Sequence, residues 1–102
     1  MEKRVKTYDL AAIKAAFASS EQLRTTATAL QDARSMGFSR EVMVAAIQQL
    51  KGKDFFKSMT THIDHRIWQD VYNTAYNGYL LYIKFQVNKA GYFVVSFKEK
   101  EI

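Results

Sequence analysis

The sequence predicts an α+β fold in which short N-terminal helices pack on a C-terminal antiparallel β-sheet. Between about residues 8 and 51, apolar side chains recur every three or four positions, which is the period of a helix with one buried face. Between about residues 53 and 99 the period changes to two, and β-branched and aromatic residues become frequent. The 102 residues have the length of one domain, so a single domain spanning residues 1–102 is expected.

The first helix is indicated by Leu10, Ile13 and Phe17, because their spacing places them on one helical face. The sequence allows two alternative start positions for the second helix. Ser19, with Gln22 three residues later, resembles a capping box. The alternative is a short strand or turn at residues 23–25, which would delay the helix.

The second helix is predicted to stop at Met36-Gly37, and the third to begin at Ser39, a favourable N-cap residue. Glu41 then lies in the first turn, where a negative charge suits the helix dipole. Gly52 is predicted to end this helix as its C′ glycine. The buried stripe predicted for the second helix is Leu23, Ala27 and Leu30. The stripe predicted for the third helix is Met43, Ile47 and Leu50.

The strands are clearest in residues 79–87, where the two faces alternate. One face carries Tyr79, Leu81, Ile83, Phe85 and Val87, and the other Leu80, Tyr82, Lys84 and Gln86. In the last strand, Phe93, Val95 and Phe97 alternate with Val94, Ser96 and Lys98. Turns are expected at Asn77-Gly78 and at residues 88–91, which makes an antiparallel meander. One face of this sheet packs on the helices, and the other stays polar and open.

The charge balance favours a polyanionic partner. Fifteen Lys and Arg residues face ten Asp and Glu residues, for a net charge of +5. Nucleic acid is one such partner, because neutralising its phosphates releases condensed counterions; improved solubility is the alternative reason for the charge. The absence of cysteine excludes disulfides and thiolate metal sites. The sequence shows neither a secretory signal nor a membrane-spanning apolar run, so a cytoplasmic location is expected.

The open sheet face is where the sequence places candidate chemistry. Tyr82, Lys84, Ser96 and Lys98 are predicted to point away from the core on two neighbouring strands. Ammonium groups there would stabilise the negative oxygens of a phosphorane, and a phenol can pass a proton. The alternative is a solvated face on which lysine serves solubility.

Two further groups of residues are candidates for function. His62, Asp64 and His65 have side chains that suit a metal ion or acid–base catalysis, but a turn in which Asp64 binds nearby backbone amides is the preferred interpretation. Aromatic residues could stack on nucleic-acid bases, although in strands they are more often structural. These aromatic residues are Trp68, Tyr72, Tyr76, Tyr79 and Tyr82.

Several blocks of sequence resemble the MqsR (motility quorum-sensing regulator) toxin family of bacterial toxin–antitoxin systems. The resemblance runs nearly end to end and is most specific in the KSMTT and WQDVY blocks. The blocks that carry it are Met1–Arg4, Arg24–Thr26, Asp54–Thr61, Ile67–Tyr72 and Val94–Lys100. The sequence departs from the family after WQDVY, where the usual Arg-Pro is replaced by Asn73-Thr74.

The resemblance implies a RelE-like fold and a ribosome-independent messenger-RNA interferase that prefers GC-containing triplets. It places the family's Lys, Gln, Tyr and Lys set at Lys57, Gln69, Tyr82 and Lys98. The expected reaction is metal-independent attack of a ribose 2′-hydroxyl on the adjacent phosphate, with no cofactor, leaving a 2′,3′-cyclic phosphate. Further substrate contacts are predicted from Lys84, Ser96, Arg66 and Trp68.

The partners implied by the resemblance are single-stranded mRNA and an inhibitory MqsA-like antitoxin. The antitoxin of this family carries zinc and a helix-turn-helix domain, so any association with operator DNA would be indirect. No membrane partner is expected. Two non-catalytic alternatives stay open: an RNA-binding module that uses the same sheet, and a protein-interaction domain.

Overall fold

The computed structural model describes residues 1–101 and confirms the α+β class, with helices in the N-terminal half and a C-terminal antiparallel sheet. The elements are β1 (Glu2–Lys3), α1 (Leu10–Ala16), α2 (Ala27–Ser35), α3 (Arg40–Gln48), β2 (Phe55–Thr60), β3 (Trp68–Tyr76), β4 (Tyr79–Asn88) and β5 (Gly91–Glu99). The strands lie in the order β1-β2-β3-β4-β5, and every neighbouring pair is antiparallel. No helix within residues 1–101 combines the length and the apolar character needed to cross a membrane.

Each α-helix begins at a side chain that accepts a hydrogen bond from a backbone N–H in the first turn. The capping residues are Asp9 for α1, Thr26 for α2 and Ser39 for α3. Ser39 is the predicted cap, but the capping box predicted at Ser19 is wrong, because only a short 3₁₀ turn follows it at Ser20–Gln22. The alternative holds instead: Thr25 forms an isolated parallel bridge with Val94, and α2 starts after it.

The late start of α2 also changes its buried face. Ala29 and Ala33 are fully buried, whereas Ala27 is exposed and Leu30 is half-buried. Leu23 is buried, but it lies before the helix, so the predicted stripe is wrong for α2. The predicted stop is confirmed at Gly37, whose φ of +83° is a left-handed conformation that suits glycine.

Gly52 is not the C′ glycine of α3. The helix ends at Gln48 with Gln49 as its C-cap, and Gly52 opens a 3₁₀ turn that leads into β2. The stripe predicted for α3 is nevertheless fully buried, as Met43, Ile47 and Leu50 show.

The turn before β4 and the alternation within β4 follow the prediction. Asn77 and Gly78 both have positive φ, 50° and 81°, as a two-residue hairpin turn requires. The core side of β4 is fully buried at Leu81, Ile83 and Phe85, whereas the edge position Val87 is 40% exposed. This side packs on the helices through aromatic contacts such as Phe17 on Phe85, whose ring centres are 6.2 Å apart.

The last strand departs from strict alternation because of a β-bulge. Lys84 pairs with Ser96, but the next residue, Phe85, pairs with Val94, so one residue of β5 is extra. Val94 therefore joins Phe97 in the core, and Phe93 pairs with Gln86 on the open face. The alternation predicts Val94 on the face of Ser96 and Lys98 and Phe93 on the other face, so the structure reverses both placements.

The strand β1 was not predicted, because its residues are charged and long-range contacts fix it. Glu2 and Lys3 pair with Met59 and Ser58 of β2. The chain that follows is anchored by Asp70, a fully buried carboxylate that accepts hydrogen bonds from the backbone N–H groups of Thr7 and Tyr8. These contacts bring the N-terminus to the edge of the sheet.

Candidate active site

The register of the sheet gathers most of the predicted site residues on its open face. Across β4 and β5, Tyr82 pairs with Lys98 and Lys84 pairs with Ser96. Residues paired across antiparallel strands project from the same face. Lys84 also pairs with Val71 of β3, which pairs in turn with Lys57 of β2. Lys57, Tyr82, Lys84, Ser96 and Lys98 therefore share one surface.

Two ammonium groups lie close to the ring of Tyr82. The Lys98 Nζ is 5.4 Å and the Lys84 Nζ 5.8 Å from the centre of the Tyr82 ring. Partial burial raises the pKa of the Tyr82 phenol above its usual 10.0, and the positive charge of Lys57 opposes this shift. Tyr82 therefore stays protonated at neutral pH and is a proton donor.

Lys84 occupies the centre of the lysine cluster. Burial lowers the pKa of its ammonium below the usual 10.5, and the positive charges of Lys98 and Lys57 lower it further. Within residues 1–101, no carboxylate lies within ion-pairing distance of Lys84 to offset this effect. The neutral amine, which can accept a proton, is thus more accessible at Lys84 than in an isolated lysine.

Lys57 is held at the edge of this surface by β1. Its Nζ donates a hydrogen bond to Oε2 of Glu2 at 2.8 Å, and its side chain is only 19% exposed. The same hydrogen bond lowers the pKa of the Glu2 carboxyl. Glu2 therefore occupies the position that an anionic ligand of Lys57 would take.

Gln69 lies on the same face and is oriented by a second glutamine. Its Nε2 donates to Oε1 of Gln86 at 2.7 Å, and Gln69 as a whole is only 8% exposed. A side-chain amide fixed in this way keeps one orientation toward a ligand. Sequence alternation placed Gln86 on the open face, but nothing in the pattern singled it out as the partner of Gln69.

The departure from the family at Asn73 falls inside this site. Asn73 pairs with Tyr82, and its Oδ1 is buried without a hydrogen-bond partner among the described residues. The strand β3 nonetheless continues through Asn73 to Tyr76 and turns at the predicted Asn77-Gly78. The position of Tyr82 opposite Lys98 is therefore preserved.

Two predicted substrate contacts lie away from this surface. Trp68 alternates with Gln69, and Lys3 packs over its ring at 4.1 Å, so Trp68 belongs to the opposite face. Arg66 lies in the loop between β2 and β3, where it pairs with Asp64 at 3.0 Å. The structure does not bring either residue to Tyr82.

The His62–His65 segment forms the predicted turn. Asp64 Oδ1 accepts a hydrogen bond from the backbone N–H of Arg66 at 2.9 Å, and the Asp64 N–H is bonded to Thr61. The ion pair with Arg66 keeps the Asp64 pKa low. Within residues 1–101, no group of three His, Asp or Glu side chains has an arrangement that suits a metal ion.

A hollow of about 330 Å³ adjoins the lysine cluster. Its lining includes two residues already described, Tyr82 and Lys98, and three that sequence analysis missed. The three additional residues are Phe56, Lys100 and Glu101. The sequence pattern does not distinguish Phe56 from an ordinary strand residue, and its place beside the lysines becomes clear only from the pairing of β2.

A small α+β domain whose open sheet face collects three lysines around a tyrosine has the local positive charge that suits the class of polyanion-binding proteins. Comparison with known proteins is consistent with this class. Residues 6–99 match the family model described as motility quorum-sensing regulator, toxin of MqsA. The chain is also 41% identical over 100 residues to the mRNA interferase toxin MqsR of Escherichia coli (strain K12), covering 98% of this chain and 100% of that protein. The chain therefore belongs to the MqsR toxin family.

Proposed function

We propose that this chain is the toxin of a type II toxin–antitoxin system and cleaves single-stranded mRNA at GC-containing triplets, without a ribosome, a metal ion or another cofactor. The endoribonuclease class follows from family membership, since a relative similar over its whole length is an mRNA interferase. The observation that supports metal-independent cleavage of RNA is the cluster of Lys57, Lys84 and Lys98 around Tyr82. The preference for GC-containing triplets is proposed from the resemblance to the family.

The proposed reaction is a transfer within the RNA backbone. The 2′-oxygen forms a bond to the adjacent phosphorus, the bond from phosphorus to the 5′-oxygen breaks, and the products are a 2′,3′-cyclic phosphate and a 5′-hydroxyl. Lys84, whose pKa is lowered, takes the proton of the 2′-hydroxyl. Tyr82, whose pKa is raised, gives a proton to the leaving 5′-oxygen.

The other residues of the face stabilise charge and orient the substrate. Lys57 and Lys98 neutralise the non-bridging oxygens as the phosphorane forms. Gln69, held by Gln86, orients the phosphate or the edge of a base. Ser96, which pairs with Lys84, lies within the same surface and is a further phosphate contact.

The proposed regulator is an MqsA-like antitoxin that binds and inhibits this chain. The family description itself names the toxin of MqsA. This chain has no cysteine, so thiolate-bound zinc in the complex would belong to the antitoxin, as would a helix-turn-helix that contacts operator DNA. The substrate and the regulator place the proposed activity in the cytoplasm, where it would stop translation during stress.

The experiment incubates purified protein with a defined single-stranded RNA in EDTA and maps cuts by primer extension. Discrete cuts at GC-containing triplets, ending in cyclic phosphate and absent with Lys98→Ala, are expected. Loss of one charge-stabilising or acid–base group lowers such rates by about 10²–10⁴-fold. Intact RNA that the protein nevertheless binds would support the non-catalytic RNA-binding alternative. Full cleavage by Lys98→Ala would remove Lys98 from the mechanism.

A further inference from the structure

We propose that Phe56 is a stacking platform for the nucleobase next to the scissile phosphate. The proposal rests on the RNA-cleaving function above and adds a binding subsite to it. The platform lies at the edge of the lysine cluster, on the hollow that Phe56 shares with Tyr82 and Lys98.

The exposure of Phe56 has a local cause. Phe55 pairs with Tyr72 and Lys57 pairs with Val71, so Phe56 is the extra residue of a β-bulge in β2. The bulge places Phe56 and the following Lys57 on the same open face, which strict alternation would not do. Phe55 packs on Tyr72 with ring centres 5.6 Å apart, whereas Phe56 keeps 38% of its surface exposed. An apolar ring held in solvent by the backbone is available to a ligand.

The surroundings of the ring select the ligand class. The Nζ of Lys100 is 4.7 Å, the guanidinium of Arg4 5.1 Å and the Nζ of Lys57 5.3 Å from the ring centre. Arg4 is also anchored to the Phe56 carbonyl at 3.3 Å. An aromatic face flanked by several cations offers partners to both parts of a nucleotide, the base and its phosphates. An uncharged apolar ligand would offer no anionic partner to these cations.

The location fixes which nucleotide would bind. Phe56, Tyr82 and Lys98 line one hollow of about 330 Å³, close to the lower limit of small-ligand pockets. A base stacked on Phe56 therefore belongs to a nucleotide whose phosphate reaches Tyr82 and Lys98. The stack would hold that phosphate in place for the attack of the 2′-oxygen.

The test measures binding with cleavage blocked. The probe is a short single-stranded RNA centred on a mapped cut, with 2′-deoxyribose at the scissile position, and a companion series replaces each nucleotide in turn by an abasic one. Phe56→Ala is expected to weaken binding of the intact probe by about 5- to 150-fold, the range for loss of one stacked base. At one abasic position the wild-type protein and Phe56→Ala should bind equally.

Three further variants separate stacking from folding and from charge. Phe56→Tyr should retain the wild-type affinity, because it keeps the ring. Val87→Ala, which changes a side chain of similar exposure on another part of the sheet, should also bind as the wild type does. Phe56→Trp should give an emission that the RNA quenches, whereas the native Trp68 lies on the other face.

The proposal is overturned if Phe56→Ala binds and cleaves RNA as the wild type does, or if its defect is equal at every abasic position. A Phe56→Ala protein impaired only in antitoxin binding would also overturn it and would make Phe56 a protein contact. These outcomes differ from failure of the proposed function, in which the wild-type protein itself would not cleave RNA.

Discussion

At the scale of single residues, the site is defined by two opposite pKa shifts on neighbouring side chains. Burial raises the pKa of an acid such as Tyr82 and lowers that of a base such as Lys84, because it disfavours both charged forms. The surrounding lysines lower the pKa of Lys84 further. A phenol that keeps its proton beside an amine that loses its proton more readily suits the acid–base pair proposed above.

Lys84→Arg tests the role of the amine as a base. Arginine keeps the positive charge but does not lose its proton in proteins, so phosphate binding should survive while proton abstraction is lost. We expect the cleavage rate of the saturated enzyme to fall by about 10²–10⁴-fold. The affinity for the uncleavable RNA, measured in parallel, should change little. A Lys84→Arg protein that cleaves at the wild-type rate would exclude Lys84 as the base.

The pH profile of kcat/KM is a second test of the proposed roles of Lys84 and Tyr82. Activity should rise as Lys84 loses its proton, with a midpoint below the usual lysine value of 10.5. It should fall again only where Tyr82 loses its proton, above the usual 10.0. Tyr82→Phe should abolish the falling limb together with most of the rate. A rising limb at the pKa of histidine, near 6.5, would point to a different base.

At the scale of elements, two β-bulges shape the surface. The bulge in β2 exposes Phe56, and the bulge in β5 lets Val94 enter the core while Ser96 and Lys98 stay on the open face. The second bulge is tied to the helices. Thr26 caps α2 by accepting a hydrogen bond from the Ala29 N–H, and its hydroxyl also donates to the Val95 carbonyl, both at 3.1 Å.

Thr26→Ala should therefore destabilise the fold. It removes the N-cap of α2 and the link to β5 together, and we expect a loss of about 1–2 kcal/mol of unfolding free energy, the usual cost of a lost cap. Urea unfolding followed by circular dichroism measures this change. Thr26→Ser keeps the hydroxyl and is the matched control. Equal midpoints for Thr26→Ala and the wild type would show that the two hydrogen bonds contribute no net stability.

The elements also show how far the sequence predicts this structure. Local signals sufficed where the cause is local: Ser39 as a helix cap, Asn77-Gly78 as a turn, and the alternation that buries Ile83. They left two alternatives open where the cause is a distant contact. Thr25 pairs with Val94 and so delays α2, which decides between the capping box at Ser19 and the strand or turn at residues 23–25.

In the candidate site, too, some residues could be predicted from the sequence and others could not. The resemblance placed the family's set at Lys57, Gln69, Tyr82 and Lys98, whereas the alternation predicted the open face for only two of them, Tyr82 and Lys98. The sheet register brings all four side chains to one face. The alternation could not reveal Gln86 as the partner of Gln69, since that contact needs the register of β3 on β4. It could not reveal Phe56 as a neighbour of Lys57 either, because the bulge that puts both on the open face is visible only in the pairing of β2 with β3.

At the scale of the whole molecule, the net charge of +5 is less informative than its placement. The helices cover one side of the sheet, and Lys57, Lys84 and Lys98 lie together on the other. Glu2 is the acidic side chain paired with this cluster, through Lys57. Binding of single-stranded RNA should then be controlled largely by counterion release.

The salt dependence of binding tests this distribution of charge. For single-stranded nucleic acid, the slope of log K against log salt is about −0.7 for each phosphate neutralised, so the three lysines of the cluster should contribute about −2 to the slope. Lys98→Gln should make the slope shallower by about 0.7, measured by anisotropy with the uncleavable RNA. Lys53→Gln is the matched control, because Lys53 is exposed near Thr74 on the helix side of the sheet. If Lys53→Gln and Lys98→Gln changed the slope equally, the charge of the whole protein, and not the open face, would govern RNA binding.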